Sequence, residues 1–334
     1  MDISELGEFR LISRLTKDIK PAQPSTLKGI GDDAAMLIFG DRAVAITTDM
    51  LVEGIDFDLT YVPLQHLGYK AAIVAFSDLY AMNVLPTQLL VSIAVSAKFS
   101  VEALERFYQG LKLACERHYV DLVGGDTTPS VTGLVINVTA IGEANREKIT
   151  YRHTAQKGDL ICVSGNLGAA YMGLQILERE NKLFQDDPAI QPQLDDYKYV
   201  VGRQLKPEAR RDIIDFLASA DLQPTAMIDV SDGLSSDLLH ICTASGAGCE
   251  IHHHKIPIAD ETITVADELY LEPLITALNG GNDYELLFTI HVKDYDKIVG
   301  KEDISIIGYI TEREEGCNLV TENGTRMEIR AQGW

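Results

Sequence analysis

Short apolar runs alternate along this chain with longer segments in which apolar residues recur at helical spacing. Within residues 100–118, Leu104, Phe107, Leu111 and Cys115 follow the period of a helix with one buried face. Other apolar runs have the length and composition of strands, at 43–47, 89–97, 120–124 and 134–142. Because mixed strands and helices must pack in layers around a core, the sequence predicts an α/β (α+β) fold.

Two domains are predicted. The chain has 334 residues, which is too long for one average domain and suits two. Near residue 150 the pattern starts again, because "AQKGDLICVSGNLGAAYMGLQIL" indicates a turn, a strand, a glycine-rich turn and a helix. We therefore expect an N-terminal domain over residues 1–150 and a C-terminal domain over residues 151–334.

Composition and charge exclude two classes of partner. The chain is 46% hydrophobic and 24% charged, as in ordinary globular proteins, with a formal net charge of -21. So acidic a surface repels nucleic-acid phosphates and anionic membranes, and we expect neither as a partner. No apolar run approaches the roughly 20 residues that a membrane-spanning helix requires.

The cysteines and the first residues indicate a cytoplasmic protein. The five cysteines are irregularly spaced and form no C-x-x-C pair, so we expect reduced and mostly buried thiols. The opening "MDISELGEFRLISRL" has early acids and lacks the apolar core of a signal peptide.

Aspartates recur on turns where a strand-like or helical run ends. Aspartate often only caps a helix or closes a turn, and Asp232, just before "GLSSDLLHI", could do no more than that. Similar turns throughout the chain nevertheless point to one site, because α/β folds build their sites at strand ends. The turns are "GIGDDAA" (Asp32, Asp33), "AITTDMLVEG" (Asp49), "VAFSDLYAMN" (Asp78), "LVGGDTT" (Asp126) and "MIDVSDGLSSD" (Asp229, Asp232).

Carboxylates gathered in this way would need cations. Two unit charges 4 Å apart repel by about 4 kcal/mol at an effective dielectric constant of 20. Hard oxygen ligands select Mg²⁺ or Ca²⁺ over Zn²⁺. Since Mg²⁺ usually takes one or two carboxylates together with waters and phosphate oxygens, many aspartates predict several Mg²⁺ ions and a polyphosphate substrate.

Other motifs give weaker signals. The spelling G-x-G-x-x-A at 29–34 resembles a dinucleotide-binding loop, but it follows a proline-rich stretch and its aspartates would repel a pyrophosphate. No P-loop and no protein-kinase motif is present. The three histidines at 252–254 would alternate across a strand, so we do not expect them to share a metal. The turn "SGNLGAA" at 164–170 could bind phosphate or pack a helix closely on a strand, and we favour packing.

From residue 7 to the end, the chain resembles the thiamine-monophosphate kinases. The motifs "GEFRLISRL", "GIGDDAA", "TTDMLVEGIDF", "SDLYAMN", "GGDTT", "DVSDGLSSDL" and "GGNDYELLFT" occur in the order seen in that family. The resemblance implies the two-domain aminoimidazole ribonucleotide synthetase-like fold, with mixed sheets packed with helices. It also implies a homodimer through the N-terminal domain, and direct phosphoryl transfer from ATP to thiamine monophosphate without a general base or a covalent nucleophile.

The resemblance further implies the residues of the site. Metal ligands would be Asp32, Thr47, Thr48, Asp49, Asp78, Asp126, Asp229 and Asp232. ATP contacts would be Tyr108, Gly125, Asp126, Arg152 and Ser231. Substrate contacts would be Asp56, Asn282 and Trp334. Many family members have His at the position of Asp56 and Glu at that of Asn282, so the metal site matches more closely than the thiamine pocket.

Two alternatives remain at this point. One is another ATP-using ligase of the superfamily, such as aminoimidazole ribonucleotide synthetase, although "GEFRLISRL" and the closing Gly-Trp pair favour the kinase. The other is a non-catalytic acidic module that binds Ca²⁺ or Mg²⁺, which would have no reason to place acids on glycine-rich turns in two domains.

Overall fold

The structure of the chain is a computed structural model, and it describes residues 8–331. Trp334, an expected substrate contact, lies outside the described residues. Within the described range, no helix combines the length and the apolar character needed to cross a bilayer.

The first half of the chain forms a six-stranded sheet with strand order β1-β2-β3-β6-β4-β5. Neighbouring strands are antiparallel except β4 and β5, which are parallel and joined through helix α3. The strands are β1 (Thr26–Lys28), β2 (Ala35–Phe39), β3 (Arg42–Val52), β4 (Leu85–Ser96), β5 (Asp121–Ser130) and β6 (Val135–Ala144). The helices are α1 (Glu8–Thr16), α2 (Leu64–Ala81) and α3 (Val101–His118).

The second half forms a seven-stranded sheet with strand order β13-β12-β9-β11-β7-β10-β8. Its strands are β7 (Leu160–Ser164), β8 (Ala226–Val230), β9 (Gly248–His252), β10 (Glu285–Ile290), β11 (Ile304–Thr311), β12 (Cys317–Val320) and β13 (Arg326–Glu328). Its helices are α4 (Ala169–Asp186), α5 (Lys198–Leu205), α6 (Arg211–Ser219), α7 (Leu234–Ser245), α8 (Asp260–Glu268), α9 (Pro273–Asn279) and α10 (Tyr295–Ile298).

Helix α2 lies between the two sheets. It contacts β3, β4 and β6 of the first sheet and β8 and β10 of the second. Most of its side chains are buried, as expected for a helix that is apolar on all sides. The position of α2 therefore sets how the two sheets face each other.

Helices α2 and α3 pack at close range because each has a glycine at the crossing. A Cβ atom on Gly68 would lie 1.9 Å from the carbonyl oxygen of Phe107. A Cβ atom on Gly110 would likewise lie 1.9 Å from the carbonyl oxygen of Gln65. Real side chains never approach so closely, so this packing requires glycine at both positions.

The α/β class and the mixed sheets packed with helices are confirmed. The first sheet ends at Ala144 and the second begins at Leu160, on either side of the predicted boundary near 150. The division into two domains stays a prediction, and so do their expected roles: ATP and Mg²⁺ binding and dimerisation for the first, and completion of the active site for the second.

The turn at residues 164–170 serves helix packing, which is the role that the sequence analysis favoured over phosphate binding. The carboxylate of Asp283 accepts the backbone N–H of Gly168 at 2.7 Å and that of Ala170 at 3.4 Å. The start of α4 is thus already occupied by an anion from the protein itself. Strand β9 ends at His252, and residues 253–255 form a 3₁₀ turn.

We predict that Gly68→Ala lowers the free energy of unfolding by about 1–3 kcal/mol, because the added methyl group overpacks the α2–α3 contact. Urea unfolding followed by circular dichroism measures the change. The matched control is Gly202→Ala in helix α5, where no atom lies within 4 Å of the new Cβ position. There the substitution should be neutral or stabilising by up to about 1 kcal/mol, since alanine favours helices. Equal effects at the two positions would contradict the packing argument.

Candidate active site

Three carboxylates converge where α2 meets the two sheets. Oxygen atoms of Asp33, Asp78 and Asp229 all lie within 4.8 Å of one another. Asp33 is on the turn before β2, Asp78 is in α2 and Asp229 is in β8. We call these three residues the carboxylate cluster.

Hydrogen bonds hold each member of the cluster in place. The Arg152 guanidinium donates two hydrogen bonds to Asp33, one of them from Nε at 2.8 Å. The Ser77 hydroxyl donates to Asp229 at 2.7 Å, and the Thr47 hydroxyl donates to Asp78. The carboxylates are therefore oriented by partners on the first sheet, on α2 and in the connection between the two sheets.

Two further aspartates flank the cluster. Asp32 accepts the backbone N–H of Arg152 at 3.2 Å with one carboxylate oxygen. Its other oxygen lies 3.6 Å from Nζ of Lys28, whereas Oδ2 of Asp49 is buried without a hydrogen-bond donor. Buried polar atoms are nearly always satisfied, so the unsatisfied oxygen of Asp49 fits a position that faces a bound cation.

Burial and mutual repulsion raise the pKa values of these acids. Burial, with the Asp33 carboxylate nearby, raises the pKa of Asp49 to about 6. The same two causes raise the pKa of Asp229 to about 7. Burial together with Asp49 and Asp229 raises the pKa of Asp78 well above its usual value. The acids cannot all be ionised at neutral pH without added positive charge.

The donors fit a hard divalent cation. They are carboxylate oxygens, with the Thr47 hydroxyl beside them, and this is the ligand class of Mg²⁺ and Ca²⁺. Asp33, Asp78, Asp229 and Asp49 would hold such ions. Asp33 was recognised in the sequence as part of an acidic turn, but only its neighbour Asp32 was expected to be a ligand.

Strand β3 presents its predicted ligands to opposite faces. Thr47 and Asp49 point toward α2 and the cluster, whereas side chains alternate and Thr48 points to the other face. There the hydroxyl of Thr48 donates to the carbonyl of Val138 at 3.1 Å and accepts from Thr139 at 3.1 Å.

Asp126 is not brought to the cluster within one chain. Asp49 pairs with Val138, Val138 with Val91, and Val91 with Gly125, so three strand spacings separate β3 from β5. That is about 14 Å at the usual spacing between strands. Asp126 pairs with Ser92 on the opposite face of the sheet, and the whole of β5 up to Pro129 is exposed.

Gly125 allows strand β5 to pair closely with β4. A Cβ atom at this position would lie 1.7 Å from the carbonyl oxygen of Val91. Tyr108 is half-buried on α3 and lines a cavity that also borders the start of β5. Three of the expected ATP contacts, Tyr108, Gly125 and Asp126, therefore lie along the exposed edge of the first sheet.

The other two expected ATP contacts lie at the cluster. Arg152 lines a cavity of about 640 Å³ beside the glycine-rich turn, with Gly29, Gly31 and residues of α1. Ser231 donates to Asp229 at 3.5 Å. The expected nucleotide contacts thus form two separate groups in one chain.

A cavity of about 770 Å³ is lined by the two expected substrate contacts that lie within the described residues. Asp49, Ser231 and Asp232 border it, and Asp56 and Asn282 lie in its wall. Asp56 accepts the backbone N–H of Val52 at 2.7 Å, which fixes the loop before it. Asp232 is held by its own turn, because Asp237 accepts backbone N–H groups of residues 232 and 233.

Lys70 is a site residue that the sequence analysis missed. It lines the same cavity, is only 6% exposed, and has its Nζ atom 6.0 Å from the centre of the Tyr284 ring. Burial lowers its pKa to about 8, against the opposing effect of Asp56, so it stays mainly protonated at neutral pH. The sequence feature that could have identified Lys70 is the presence of a lysine inside the apolar stretch "GYKAAIVAF".

The wall formed by residues 281–284 is conformationally strained. Asn282 has φ 60° and Tyr284 has φ 53°, values that residues other than glycine rarely adopt. Such residues cost about 1–3 kcal/mol each and cluster at functional sites. The Tyr284 hydroxyl donates to the Asn282 side chain at 3.0 Å, and the Asn282 backbone N–H donates to Ser231 at 2.8 Å.

Comparison with known proteins shows which family the chain resembles over its whole length. The family described as AIR synthase related protein matches with its N-terminal domain over residues 31–144 and its C-terminal domain over residues 156–317. A thiamine-monophosphate kinase of Aquifex aeolicus is 33% identical, covering 100% of this chain and 99% of that protein. One of Buchnera aphidicola subsp. Schizaphis graminum is 34% identical, covering 99% and 98%.

A solved structure described as AaThiL complexed with AMPPCP and TMP has the same fold. Its TM-score is 0.83 at 32% sequence identity, and the match covers 100% of this chain and 98% of that one. The comparisons thus extend over both sheets and every element that carries the carboxylate cluster.

We predict that the metal-free protein loses thermal stability as pH rises from about 4 to about 8. The pKa values of Asp49 and Asp229 are raised in the folded state, to about 6 and about 7. At the acidic end both acids are protonated in the folded state and about half protonated in the unfolded state, whereas at the alkaline end folding must bury two carboxylates that water would solvate. Excess Mg²⁺ should restore the midpoint, and more strongly at the alkaline end.

Differential scanning fluorimetry with and without a chelator measures this effect. Asp229→Asn should flatten the pH dependence of the metal-free protein and weaken the stabilisation by Mg²⁺. Asp195→Asn, at a side chain that is 95% exposed, is the control and should behave as the wild type. Equal pH profiles for the wild type and Asp229→Asn would contradict the assignment.

Proposed function

The chain belongs to the thiamine-monophosphate kinase family of AIR synthase related proteins, and from this premise we propose that it transfers the γ-phosphoryl group of ATP directly to thiamine monophosphate. The products are thiamine diphosphate and ADP. The observation that carries the proposal is the carboxylate cluster beside a substrate-sized cavity lined by one buried ammonium group and several carboxylates.

The cavity matches the charges of the proposed acceptor. Thiamine monophosphate combines a cationic ring with an anionic phosphate. Asp56, Asp58 and Glu178 supply negative charge to the wall, and Lys70 supplies positive charge. The residues 281–284 are pre-set in an uncommon backbone conformation, so this wall needs little rearrangement on binding.

The chain needs no general base for this reaction. The acceptor is a phosphate monoester and already a competent nucleophile at neutral pH, so the protein must chiefly position two phosphates and offset their charge. Several Mg²⁺ ions, when bound, supply that positive charge. Asp33 joins the ligands expected from the sequence, and Arg152 keeps its carboxylate oriented.

Incubation with ATP, Mg²⁺ and thiamine monophosphate tests the proposal. We expect thiamine diphosphate and ADP in equal amounts by chromatography. Activity should continue to rise after Mg²⁺ exceeds ATP, because the cluster binds ions beyond the one that ATP carries. A curve that saturates at equal Mg²⁺ and ATP would contradict this requirement.

The same assay distinguishes the kinase from the alternative, a ligase of the same superfamily. If the chain were instead a superfamily ligase such as aminoimidazole ribonucleotide synthetase, ADP would form with that enzyme's substrate and no thiamine diphosphate would appear. We place the reaction in the cytoplasm, where the five cysteines stay reduced.

We further propose that the enzyme is a homodimer through the first sheet. Asp126 lies on the exposed edge strand β5, which is three strand spacings from β3. Its side chain also points to the opposite face of the sheet from the cluster of its own chain. A symmetric dimer can bring Asp126, Gly125 and Tyr108 of one subunit to the cluster of the other. This would unite the two separate groups of expected ATP contacts.

Asp126→Asn should leave the fold intact and abolish detectable turnover, because it removes a charge partner of the metal ions that hold the phosphates. Co-expression of Asp126→Asn with Asp78→Asn subunits should then restore about a quarter of wild-type activity, since half of the dimers carry one intact site in a symmetric arrangement. The control pairs Asp78→Asn with Asp229→Asn, which lie in one cluster and should restore nothing. A monomeric mass in solution, or no recovery in the first mixture, would overturn the shared site.

Lys70→Met should raise KM for thiamine monophosphate by about tenfold or more, since a charge-assisted hydrogen bond contributes about 1.5–3 kcal/mol. KM for ATP should change little. Lys297→Met is the control, because that ammonium group binds the carbonyl of Asp221 outside the cavity. Steady-state kinetics with each substrate varied separately makes the measurement, and equal shifts in both KM values would argue against a role in substrate binding.

A further inference from the structure

Three of the five cysteines meet at one point of the second sheet. The Sγ atoms of Cys242, Cys249 and Cys317 all lie within 4.8 Å of one another. We call them the thiol cluster. Cys115 in α3 and Cys162 in β7 are buried elsewhere and do not belong to it.

Strand pairing places two of the thiols side by side. Strands β9 and β12 are parallel, and Cys317 pairs directly with Cys249. Directly paired residues project from the same face of a sheet, so both side chains point in one direction. The sequence spacing gives no hint of this contact, because β12 joins β9 from a distant part of the chain.

A tight reversal brings the third thiol over the pair. Helix α7 ends at Ser245, and Gly246 adopts the left-handed conformation with φ 64°. The backbone N–H of Ala247 then donates to the carbonyl of Cys242 at 2.9 Å, and β9 begins at Gly248. The last turn of α7 is thereby folded back onto the strand that carries Cys249.

The three thiols differ in their exposure and acidity. Cys242 and Cys249 are 2% and 0% exposed within an apolar cluster, while Cys317 is only partly buried. Hydrogen bonds from the other two thiols lower the pKa of Cys317, whereas hydrogen bonds within the cluster and burial raise the pKa of Cys242 and Cys249. A metal ion that enters beside Cys317 would therefore have to displace the protons of the two buried thiols.

We propose that the thiol cluster is a three-thiolate site for a soft divalent cation of the zinc class. Zinc bonds to thiolate sulfur at about 2.3 Å, which requires sulfur atoms about 3.8 Å apart in a tetrahedral site. The observed sulfur atoms, all within 4.8 Å of one another, lie near that spacing. Binding releases the thiol protons, and a water molecule completes the shell on the side of Cys317.

This site is distinct in chemistry from the carboxylate cluster. Thiolates select soft cations, whereas carboxylates select Mg²⁺ and Ca²⁺. A metal held by α7, β9 and β12 would tie the β12–β13 edge of the sheet to its interior. The proposed role is therefore structural, and it does not depend on the proposed phosphoryl transfer.

Cobalt substitution tests the proposal on the full chain. Reduced protein in excess Mg²⁺, which fills the carboxylate cluster, is titrated with Co²⁺ without any thiol reductant. We expect a sulfur-to-cobalt charge-transfer band that saturates at about one Co²⁺ per chain and is abolished by Zn²⁺. Cys317→Ala should remove most of the band, and Cys162→Ala, at a buried cysteine outside the cluster, should keep it.

A second measurement is made on the wild type, so that the test does not depend on whether the cysteine variants fold. In the wild type, Zn²⁺ should protect Cys242, Cys249 and Cys317 from alkylation, as read by mass spectrometry, in partly denaturing conditions that expose buried thiols. The proposal is overturned if no thiolate band forms, if Cys317→Ala retains the band, or if Zn²⁺ gives no protection.

Discussion

The repulsion among Asp33, Asp78 and Asp229 is the constraint on which the rest of the structure depends. Each carboxylate would raise the energy of the others if left alone, so each has its own donor. The donors come from different parts of the fold: Arg152 follows the first sheet, and Ser77 lies in α2. The Ser77–Asp229 hydrogen bond joins α2 to a strand of the second sheet. The contact that orients the two sheets is therefore also the contact that builds the site.

This dependence explains why α2 is packed so tightly. Its glycine at 68 allows α3 to approach it at backbone distance, and its buried sides contact both sheets. A helix held from all directions can fix Asp78 against the repulsion of its neighbours. The same rigidity keeps Lys70 buried in the cavity wall, where its ammonium group has lost most of its contact with water. Helix α2 thus both stabilises the fold and fixes the positions of Asp78 and Lys70.

Much of this arrangement could be predicted from the sequence, and the remainder had physical reasons to stay hidden. The sequence analysis placed the aspartates on turns, which is wrong for three of them: Asp49 lies within β3, Asp78 within α2 and Asp229 within β8. The three nevertheless lie close together, as the recurring acidic motifs indicated. Asp126 was assigned to the same group, yet strand order and side-chain alternation separate it from the cluster within one chain. Neither strand order nor sheet face can be read from the spacing of turns.

Two other features were hidden for different reasons. Lys70 lies in a helix that is buried on nearly every side, so apolar periodicity does not distinguish one face as the site. The thiol cluster depends on the pairing of β9 with β12, a long-range parallel contact that irregular cysteine spacing cannot reveal. Lysine and cysteine are ordinary residue types, and in both cases only the neighbours in the folded structure show that these residues could have a function.

Asn282 shows how the charge constraint extends into the substrate cavity. The family pattern more often has glutamate here, and a further carboxylate would lie in the same wall as Asp49 and Asp232, which are already disfavoured as anions. The amide adds no charge, and its oxygen accepts a hydrogen bond from Tyr284. Asparagine also tolerates the left-handed backbone at this position better than glutamate does. The residue therefore lowers both the electrostatic and the conformational cost of the wall, in which Asp56 and Glu178 also lie.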